Sequence, residues 1–373
     1  MKVKIGDLTK IKTGKLDANV SSEDGKYPFF TCSKEPLKIS TYSYDCECVL
    51  VAGNGDLNVK YYNGKFDAYQ RTYIIEANGS GKLYMPYLYY FMEDYIDELR
   101  KQAIGGVIKY IKLANLTDAL IELPSVDEQK SIVEILKKVK GILDKRNDEI
   151  RELDNLIKAR FVEMFGDPIQ NPKGWDMPLI EEVVANEKNA LKAGPFGSAL
   201  KKEYYVASGY KIYGQEQVIS GDCTFGDYYI DEERYKSLEN CAVQPGDVLI
   251  SLVGTYGKLL IMPEVFEPGI INPRLMKITF DKEKVNPYYF KFFFQSESLK
   301  KALSQNTHGG TMDILNLGIV RKIEMPLPPL KLQNEFVDFV HQVNKSKFDT
   351  MTFAPIYAII NLYLHTYFYQ GRR

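Results

Sequence analysis

The sequence has little of what metal sites, secreted frameworks and membrane spans require. Its 373 residues include three histidines and five cysteines. No pair of cysteines has the CxxC spacing, and Cys46 and Cys48 are too close to form a zinc pair, so we assign no metal and no cofactor. The charged opening residues do not form a signal peptide, which favours a reducing cytoplasm. No run of 18 apolar residues occurs, so no membrane association is expected.

A net charge of one sign is also missing, since 48 Lys and Arg residues face 49 Asp and Glu residues, for a formal charge of −1. Proteins that bind nucleic acid usually carry a basic domain or patch, and the total charge does not reveal one. The position of the charge matters more than its sum. Residues 1–15 hold five lysines and one aspartate, so a local basic surface remains compatible with the composition.

Motifs of catalysis are missing as well. The chain lacks [DNS]PP[YF], FxGxG, HExxH, GxSxG and a Walker A sequence, and no carboxylate spacing indicates a nuclease. We therefore expect a protein that is not an enzyme. A nuclease or a methyltransferase stays as a rival hypothesis, which a purified chain that cuts or modifies DNA alone would establish.

The most informative feature that is present is an internal repeat. LPSVDEQKSIVEIL from Leu123 matches LPPLKLQNEFVDFV from Leu327, an offset of 204 residues at which Gln129 and Gln333 are identical. Upstream, Gly-Gly at 105–106 falls on Gly-Gly at 309–310, PYLYYFM (86–92) resembles PYYFKFF (287–293) at an offset of 201, and VLV (49–51) resembles VLI (248–250). The shared order predicts two copies of one unit, each a domain followed by a Leu-Pro junction and a helix.

A long helix is predicted for residues 127–165, which contain no proline and one glycine. Ser125 and Glu128 have the spacing of a capping box, and Gly-Asp-Pro at 166–168 predicts the end of the helix. Its apolar residues alternate spacings of four and three, as in a heptad seam, so the helix needs a partner. The second copy continues the seam as far as about Thr350, beyond which the pattern is lost and Pro355 would kink or stop a helix. The predicted helix-pairing residues are Ile132, Leu136, Val139, Leu143, Ile150, Leu153, Ile157, Phe336, Val340 and Val343.

The residues before each helix predict mixed α/β domains, in the α/β (α+β) class. Runs of β-branched and aromatic residues between Gly and Asn turns indicate strands at 40–44, 48–51, 71–76, 247–252 and 275–280. Amphipathic segments indicate helices at 86–102 and 287–304.

Several glycine-containing loops are candidates for contact with phosphates and bases. GPFGSALKK (194–202) allows close backbone approach and adds a hydroxyl and two lysines, although an ordinary turn before a helix explains it too. AGNGDLNVKYY (52–62) and SLVGTYGK (251–258) follow equivalent strands, and hairpin loops are the alternative interpretation. Arginine is the commonest reader of guanine and asparagine suits adenine, which draws attention to INPR (271–274). The lone His308 is more often structural than functional.

The organisation and several local sequences resemble the specificity (S) subunits of type I restriction–modification systems. These sequences are KYPFFTCS (26–33), GKFDAYQRTYII (64–75), GPFGSALK (194–201), GDVLISLVGTYGK (246–258), GGTMDILNLGIVRKIEMPLPPL (309–330) and LPSVDEQ (123–129). The resemblance implies target-recognition domains at 1–124 and 167–328, a central spacer helix at 125–166, and a C-terminal spacer helix at 329–373 whose second half is atypical. It also implies that the two helices pair as an antiparallel coiled coil.

The resemblance implies a non-catalytic subunit that reads a bipartite sequence in double-stranded DNA, one half per domain. Its helices would set the spacing and dock two methyltransferase (modification) subunits, and restriction subunits would join through the complex. The alternative is a two-domain protein-binding adaptor, which would show apolar anchors in place of loops rich in Gly, Lys, Asn and Thr. The predicted DNA-binding residues are Lys12, Thr13, Lys15, Asn54, Lys60, Tyr69, Arg71, Lys109, Gly194, Phe196, Gly197, Ser198, Lys201, Thr255, Tyr256, Lys258, Asn272, Arg274, His308, Gly309, Gly310 and Thr311.

Overall fold

A computed structural model describes residues 2–252, 257–305 and 315–351. The chain forms two compact units, one of residues 1–149 with 349–373 and one of residues 150–348. The division falls inside the long helix, between Glu149 and Ile150, whereas the domain boundaries expected from the sequence lie at the ends of that helix. Within the described ranges, no helix has both the length and the apolar character needed to cross a membrane.

The first unit is built on a six-stranded sheet with the order β2-β7-β5-β6-β3-β4, in which the β3–β6 pair is parallel and the other pairs are antiparallel. A separate antiparallel pair joins β1 to β8. The strands are Lys2–Lys4 (β1), Thr9–Thr13 (β2), Tyr27–Phe30 (β3), Leu37–Ile39 (β4), Tyr44–Ala52 (β5), Val59–Ala68 (β6), Thr72–Ala77 (β7) and Leu120–Glu122 (β8), and the helices are Met85–Gln102 (α1), Leu113–Thr117 (α2) and Val126–Phe165 (α3).

Strand β5 shows how the sheet separates two cores. Side chains alternate between the faces of a strand, so Val49 and Val51 lie on one face while Cys48 and Leu50 lie on the other. The valines belong to the core formed with α1 and the first turns of α3, and Cys48 and Leu50 belong to a smaller aromatic core with Phe66. The start of α3 is therefore part of the hydrophobic core of the first unit.

The second unit repeats the sheet of the first unit in two separate parts, with the parallel pair β11–β15 corresponding to the parallel pair β3–β6. The sheet order β14-β13-β16-β9 corresponds to β6-β5-β7-β2, and a further sheet has the order β10-β12-β11-β15. The strands are Leu191–Ala193 (β9), Tyr205–Val206 (β10), Tyr210–Tyr213 (β11), Tyr229–Ile230 (β12), Val248–Ser251 (β13), Leu259–Ile261 (β14), Gly269–Ile271 (β15) and Leu275–Ile278 (β16), and the helices are Gln215–Ser220 (α4), Glu232–Ser237 (α5), Pro287–Phe294 (α6), Glu297–Gln305 (α7), Leu317–Val320 (α8) and Leu330–Met351 (α9).

The two glutamines that match in the sequence repeat make the same buried contacts in both units. The Gln129 side chain accepts a hydrogen bond from the Tyr84 amide (2.8 Å) and donates to the carbonyls of Lys82 (2.8 Å) and Pro124 (2.9 Å). The Gln333 side chain accepts from the Asn286 amide (2.9 Å) and donates to the carbonyls of Lys284 (2.9 Å) and Pro328 (2.8 Å). We call each set a glutamine clamp, because it ties the first turn of α3 or α9 to the residue that caps α1 or α6.

We expect Gln129→Ala and Gln333→Ala each to lower the free energy of unfolding of the full chain by about 2 kcal/mol, because each leaves one buried amide and two carbonyls without their partner. Chemical denaturation followed by circular dichroism measures the loss. Gln342→Ala, at an exposed position of α9, serves as the control and should change stability by less than about 0.5 kcal/mol. Equal losses in clamp and control variants would show that the clamps contribute nothing specific.

The clamps correct the alignment of the two domain helices. The sequence comparison placed PYLYYFM on PYYFKFF at an offset of 201, but Tyr84 and Asn286 occupy the same structural place, an offset of 202. At that offset Tyr87 falls on Tyr289, and both hydroxyls donate to backbone carbonyls, of Glu122 (2.9 Å) and Pro326 (2.7 Å). The shared proline misled the alignment.

The second half of α3 pairs with α9 in antiparallel orientation inside the second unit. Phe336, near the start of α9, contacts Phe161 and Phe165, near the end of α3. Further along α9, Lys347 forms an ion pair with Asp154, which lies earlier in α3. The predicted limits of α3 are confirmed: Ser125 and Glu128 form the capping box, and Gly166 ends the helix in the left-handed region.

The strand predictions are confirmed for β5, β7, β13 and β16, and one prediction is wrong. Residues 40–44 were expected to form a strand, but residues 40–43 form a bend between β4 and β5, and the strand begins at Tyr44. The helix expected at 287–304 is divided into α6 and α7 at Gln295 and Ser296. The tail beyond Met351 lies outside the described residues.

Candidate nucleic-acid interface

Four loops of the first unit meet at one edge of the central sheet; they comprise residues 13–16, 53–56, 69–71 and 104–111, and we call them the first loop cluster. Gly14 donates to the Thr72 carbonyl (3.0 Å), and Lys15 donates to the Ala68 carbonyl (3.2 Å). A Cβ atom at Gly14 would lie 2.2 Å from the Ala68 carbonyl oxygen, so this close backbone approach requires glycine.

Arg71 lies at the centre of the first loop cluster. Its carbonyl accepts a hydrogen bond from the Gly53 amide (2.8 Å), and the Gly53 carbonyl in turn accepts from Ile111 (2.9 Å). Gly55 donates to the Lys109 carbonyl (2.9 Å), which fixes the loop after β5 against the loop before α2. The Gln70 amide also donates to the Leu16 carbonyl (2.9 Å), so backbone hydrogen bonds hold all four loops in a defined order.

The second unit repeats this network, in loops at residues 194–202, 252–258, 272–274 and 315, which we call the second loop cluster; residues 253–256 lie outside the described part. Gly194 donates to the Leu275 carbonyl (2.9 Å), and a Cβ atom there would lie 1.9 Å from the Asn272 carbonyl oxygen. Leu252 donates to the Arg274 carbonyl (3.0 Å), and its own carbonyl accepts from Leu315 (3.0 Å).

Arg71 and Arg274 are therefore structurally equivalent, since each carbonyl accepts from the first residue after the same strand of the repeat. Both side chains are exposed. The Arg274 guanidinium donates from Nη1 to Oε1 of Gln215 (3.3 Å), and Gln215 donates to Oγ of Ser251 (2.8 Å). Among the described residues the Arg71 guanidinium has no hydrogen bond or ion pair. Each unit therefore presents an exposed guanidinium group at the equivalent position of the repeat.

The predicted lysines divide into two groups. Lys60 donates to the Ser33 carbonyl (2.7 Å) and to Asn58, and burial lowers the pKa of its ammonium group. Lys12 forms an ion pair with Glu76 and lies 4.9 Å from the ring centroid of Tyr44. These two lysines support the sheet and the adjacent loop.

The other described lysines of the prediction are exposed: Lys15, Lys109, Lys201 and Lys258. Lys201 forms an exposed ion pair with Glu203 (3.4 Å), which screens little of its charge in water. This second group is the one available to a phosphate backbone.

The remaining predicted residues lie in or beside the two loop clusters. Asn54 pairs with Tyr110 in an isolated bridge, and Tyr69 pairs with Leu16 in another. The carbonyl of Thr13 accepts from the Tyr44 hydroxyl (3.3 Å). Phe196, Gly197 and Ser198 are exposed. Six predicted residues lie outside the described part of the chain: Thr255, Tyr256, His308, Gly309, Gly310 and Thr311.

GPFGSALKK does not precede an α-helix, contrary to the simpler interpretation of that sequence. It forms two short 3-10 turns, Gly197–Ala199 and Lys202–Tyr204, followed by strand β10. The loop after β5 joins antiparallel strands, as the hairpin interpretation expects.

Sequence reasoning missed two residues that lie beside the second loop cluster, in α4 and α6. Gln215 orients Arg274, and it is recognisable only once the chain is folded because 59 residues separate the pair. Lys291 of α6 is half-buried, and burial lowers the pKa of its ammonium group, with Lys258 adding repulsion. The signal in the sequence was the position of Lys291, a single lysine inside the apolar run PYYFKFFF.

Comparison with known proteins places these features in a family. A model described as the type I restriction modification DNA specificity domain matches residues 1–153 and 172–355. The chain is 37% identical over 156 residues to the EcoDI specificity subunit of Escherichia coli, an alignment that covers 42% of this chain and 34% of that protein. It is 21% identical over 370 residues to the MjaVIII specificity subunit of Methanocaldococcus jannaschii, covering 92% of this chain and 85% of that protein.

A solved structure shows the same fold. The type I restriction–modification S subunit from M. genitalium matches with a TM-score of 0.57 and 15% identity, over 98% of this chain and 94% of that one. The repeated family match agrees with the repeated sheet and glutamine clamp. The chain belongs to the family of type I restriction modification DNA specificity subunits, whose role in the complex is to recognise DNA sequence and not to catalyse.

Proposed function

We propose that the two loop clusters are the DNA-reading surfaces of this specificity subunit, one for each half of a bipartite target. The observation that carries the proposal is the equivalence of Arg71 and Arg274. Each unit holds an exposed arginine at the same point of the same backbone network, beside loops whose glycines permit close approach. Two copies of one reading surface suit a target with two separate halves.

The chemistry of each cluster divides into anchoring and reading. Lys15, Lys109, Ser198, Lys201 and Lys258 are exposed donors suited to phosphate oxygens, which position a protein on DNA without reading sequence. Arg71 and Arg274 are suited to base edges, because a guanidinium can donate twice to guanine. The Asn272 Oδ1 accepts from the Arg274 amide (2.9 Å), so its NH2 group is the part suited to a base. In a nearly neutral chain, partner subunits would supply part of the charge that surrounds the duplex.

The helices are the elements we propose for spacing and assembly. We propose target-recognition domains at 1–124 and 167–328, joined by spacer helices at 125–166 and 329–373, with two methyltransferase subunits docking on the helices and restriction subunits joining through the complex. The seam between α3 and α9 supports this assignment. The complex would act in the cytoplasm, where the five unpaired cysteines of this chain stay reduced.

Substitution of the two arginines tests the reading surface. We expect Arg71→Ala and Arg274→Ala each to lower methylation of the target by about 5- to 150-fold, corresponding to about 1–3 kcal/mol per lost bidentate contact. Each variant should relax the sequence requirement in one half only, and in different halves. The measurement is sequencing of methylated genomic DNA from cells that express the variant with its modification subunit.

Two controls separate base reading from charge. Arg71→Lys keeps the charge but not the planar pair of donors, so it should behave like Arg71→Ala. Lys109→Ala should weaken methylation of all sequences alike and reduce the salt dependence of binding. An unchanged recognised sequence in both arginine variants would refute the assignment. A folded chain that binds no duplex, alone or with its partner, would favour the protein adaptor.

A further inference from the structure

Phe196 is unusually exposed to solvent for a phenylalanine. The ring is 90% exposed, although phenylalanine is among the residues most often buried in proteins. It lies in the loop between β9 and the 3-10 turn at Gly197–Ala199. A single exposed apolar side chain is common on protein surfaces, so the position of this ring beside the residues proposed to read bases is what singles it out.

The loop that carries this ring is fixed at both ends. On one side Gly194 donates to the Leu275 carbonyl (2.9 Å), and Pro195 has a restricted backbone. On the other side the Phe196 carbonyl accepts from Ala199 (2.8 Å), and Leu200 is buried in the core of the second unit. The ring is therefore presented on a short, anchored turn.

The ring emerges beside the residues proposed to read bases. Gly194 packs directly on the Asn272 carbonyl, where a Cβ atom would lie 1.9 Å from the oxygen, and Phe196 follows two residues later, within about 7 Å of chain. Ser198 and Lys201 are exposed on the same loop. Polar and cationic neighbours around one apolar ring fit a nucleic acid better than a protein interface, whose centre clusters apolar anchors.

The first unit lacks such a ring at the equivalent place. Two residues after Gly14, the chain has Leu16, which is half-buried and paired with Tyr69, while its carbonyl accepts from Gln70 (2.9 Å). The two units thus share the arginine position but differ at this loop.

We propose that Phe196 inserts between two stacked base pairs of the half-site that the second unit reads, and kinks the duplex there. Apolar side chains that act as wedges unstack a base step and bend DNA by about 20–90°. The first unit reads its half-site without a wedge from this loop. The proposal rests on the proposed function of the second loop cluster.

The test uses the full chain in complex with its modification subunit and a duplex that contains the recognised sequence. Two duplexes carry a dye pair on either side of one half-site each, so that energy transfer reports bending in that half alone. We expect a kink in the half assigned to Arg274. Phe196→Ala should abolish the kink and weaken binding of the duplex about tenfold, whereas Phe196→Trp should retain both. Val265→Ala, at an equally exposed apolar residue outside both loop clusters, should leave the bend of either half-site unchanged.

The outcomes distinguish the wedge from the reading surface. Specific binding with the same bend in wild type and Phe196→Ala would overturn the wedge and leave the reading surface intact. Loss of the modification subunit from the Phe196→Ala complex in a pull-down would identify the ring as a protein contact, and would also overturn it. Failure of the wild-type complex to prefer its target over a scrambled duplex would overturn the proposed function and the wedge together.

Discussion

Asp247→Ala is expected to lower the free energy of unfolding of the second unit by about 3–5 kcal/mol, because it leaves a buried ammonium group without a counter-charge. Asp247 is 0% exposed and Lys277 is 3% exposed. The Lys277 Nζ lies 3.0 Å from Oδ2 of Asp247, which also accepts from the Gln244 amide (2.9 Å), while Oδ1 accepts from Thr279. Denaturant unfolding, with hydrogen exchange at β13 and β16 to locate the change, measures the loss.

The first unit supplies the matched control for this pair. The register of β13 with β16 and of β5 with β7 places Cys48 where Asp247 lies and Ile74 where Lys277 lies, and both first-unit residues are buried. A buried ion pair can be replaced by apolar residues at little cost. The double variant Asp247→Cys with Lys277→Ile should therefore recover most of the stability that Asp247→Ala loses. Equal losses in the single and double variants would show that the isolated charge is not the cause.

Phe336→Ala should cost the second unit about 3–5 kcal/mol, the range for removing a large ring from a core. Phe336 is fully buried, with ring centroids 5.4 Å from Phe161, 5.5 Å from Phe165 and 5.1 Å from Phe292. One side chain thus joins α9 to the end of α3 and to α6, so that its loss opens a cavity between three helices. The measurement is denaturant unfolding followed by helical circular dichroism.

Phe339→Ala is the control for the helix seam. Phe339 lies one turn further along α9, half-buried under the Arg160 guanidinium at 5.8 Å, so its loss should cost only about 1 kcal/mol. If the two phenylalanine variants unfold at the same denaturant concentration, the junction at Phe336 does not hold the helices together.

The repeat and the long helix were accessible from the sequence because their signals are local. A capping box needs two residues three positions apart, and a heptad seam needs only the spacing of apolar residues along one helix. Ser125 and Glu128 satisfy the first requirement, and the structure confirms both limits of α3. Gln129 and Gln333 matched in the sequence, but their role as clamps depends on partners more than 40 residues away.

The arrangement of the loops was not accessible, because it depends on contacts that are distant in the chain. The Gly53 amide finds the Arg71 carbonyl, and Arg274 finds Gln215, through folding and not through spacing. The sequence alignment of α1 with α6 was wrong by one residue for a related reason. Pro86 occupies the second helical position and Pro287 the first, so aligning the prolines shifted every buried residue by one. The sheet of β10, β11, β12 and β15 repeats β3, β4 and β6 of the first unit, since the Tyr69 amide donates to the Phe30 carbonyl as the Asn272 amide donates to the Tyr213 carbonyl. The sequence match between YPFF (27–30) and YKIY (210–213) is too short to predict this part of the repeat.

The backbone contacts of Arg71 and Arg274 determine which substitutions the two loops can accept during evolution. The contacts that fix each loop use backbone atoms of the arginine, which every amino acid possesses, and the Arg274 side chain adds one hydrogen bond to Gln215. Under the proposed function, exchange of either side chain would alter the favoured base while the backbone contacts of the loop remain. Gly14 and Gly194 have no such freedom, because any Cβ atom would collide with a neighbouring carbonyl. The residues that fix the shape of each loop are thus separate from the side chains proposed to read the target. A single substitution at one of these arginines is then the expected route to a new target.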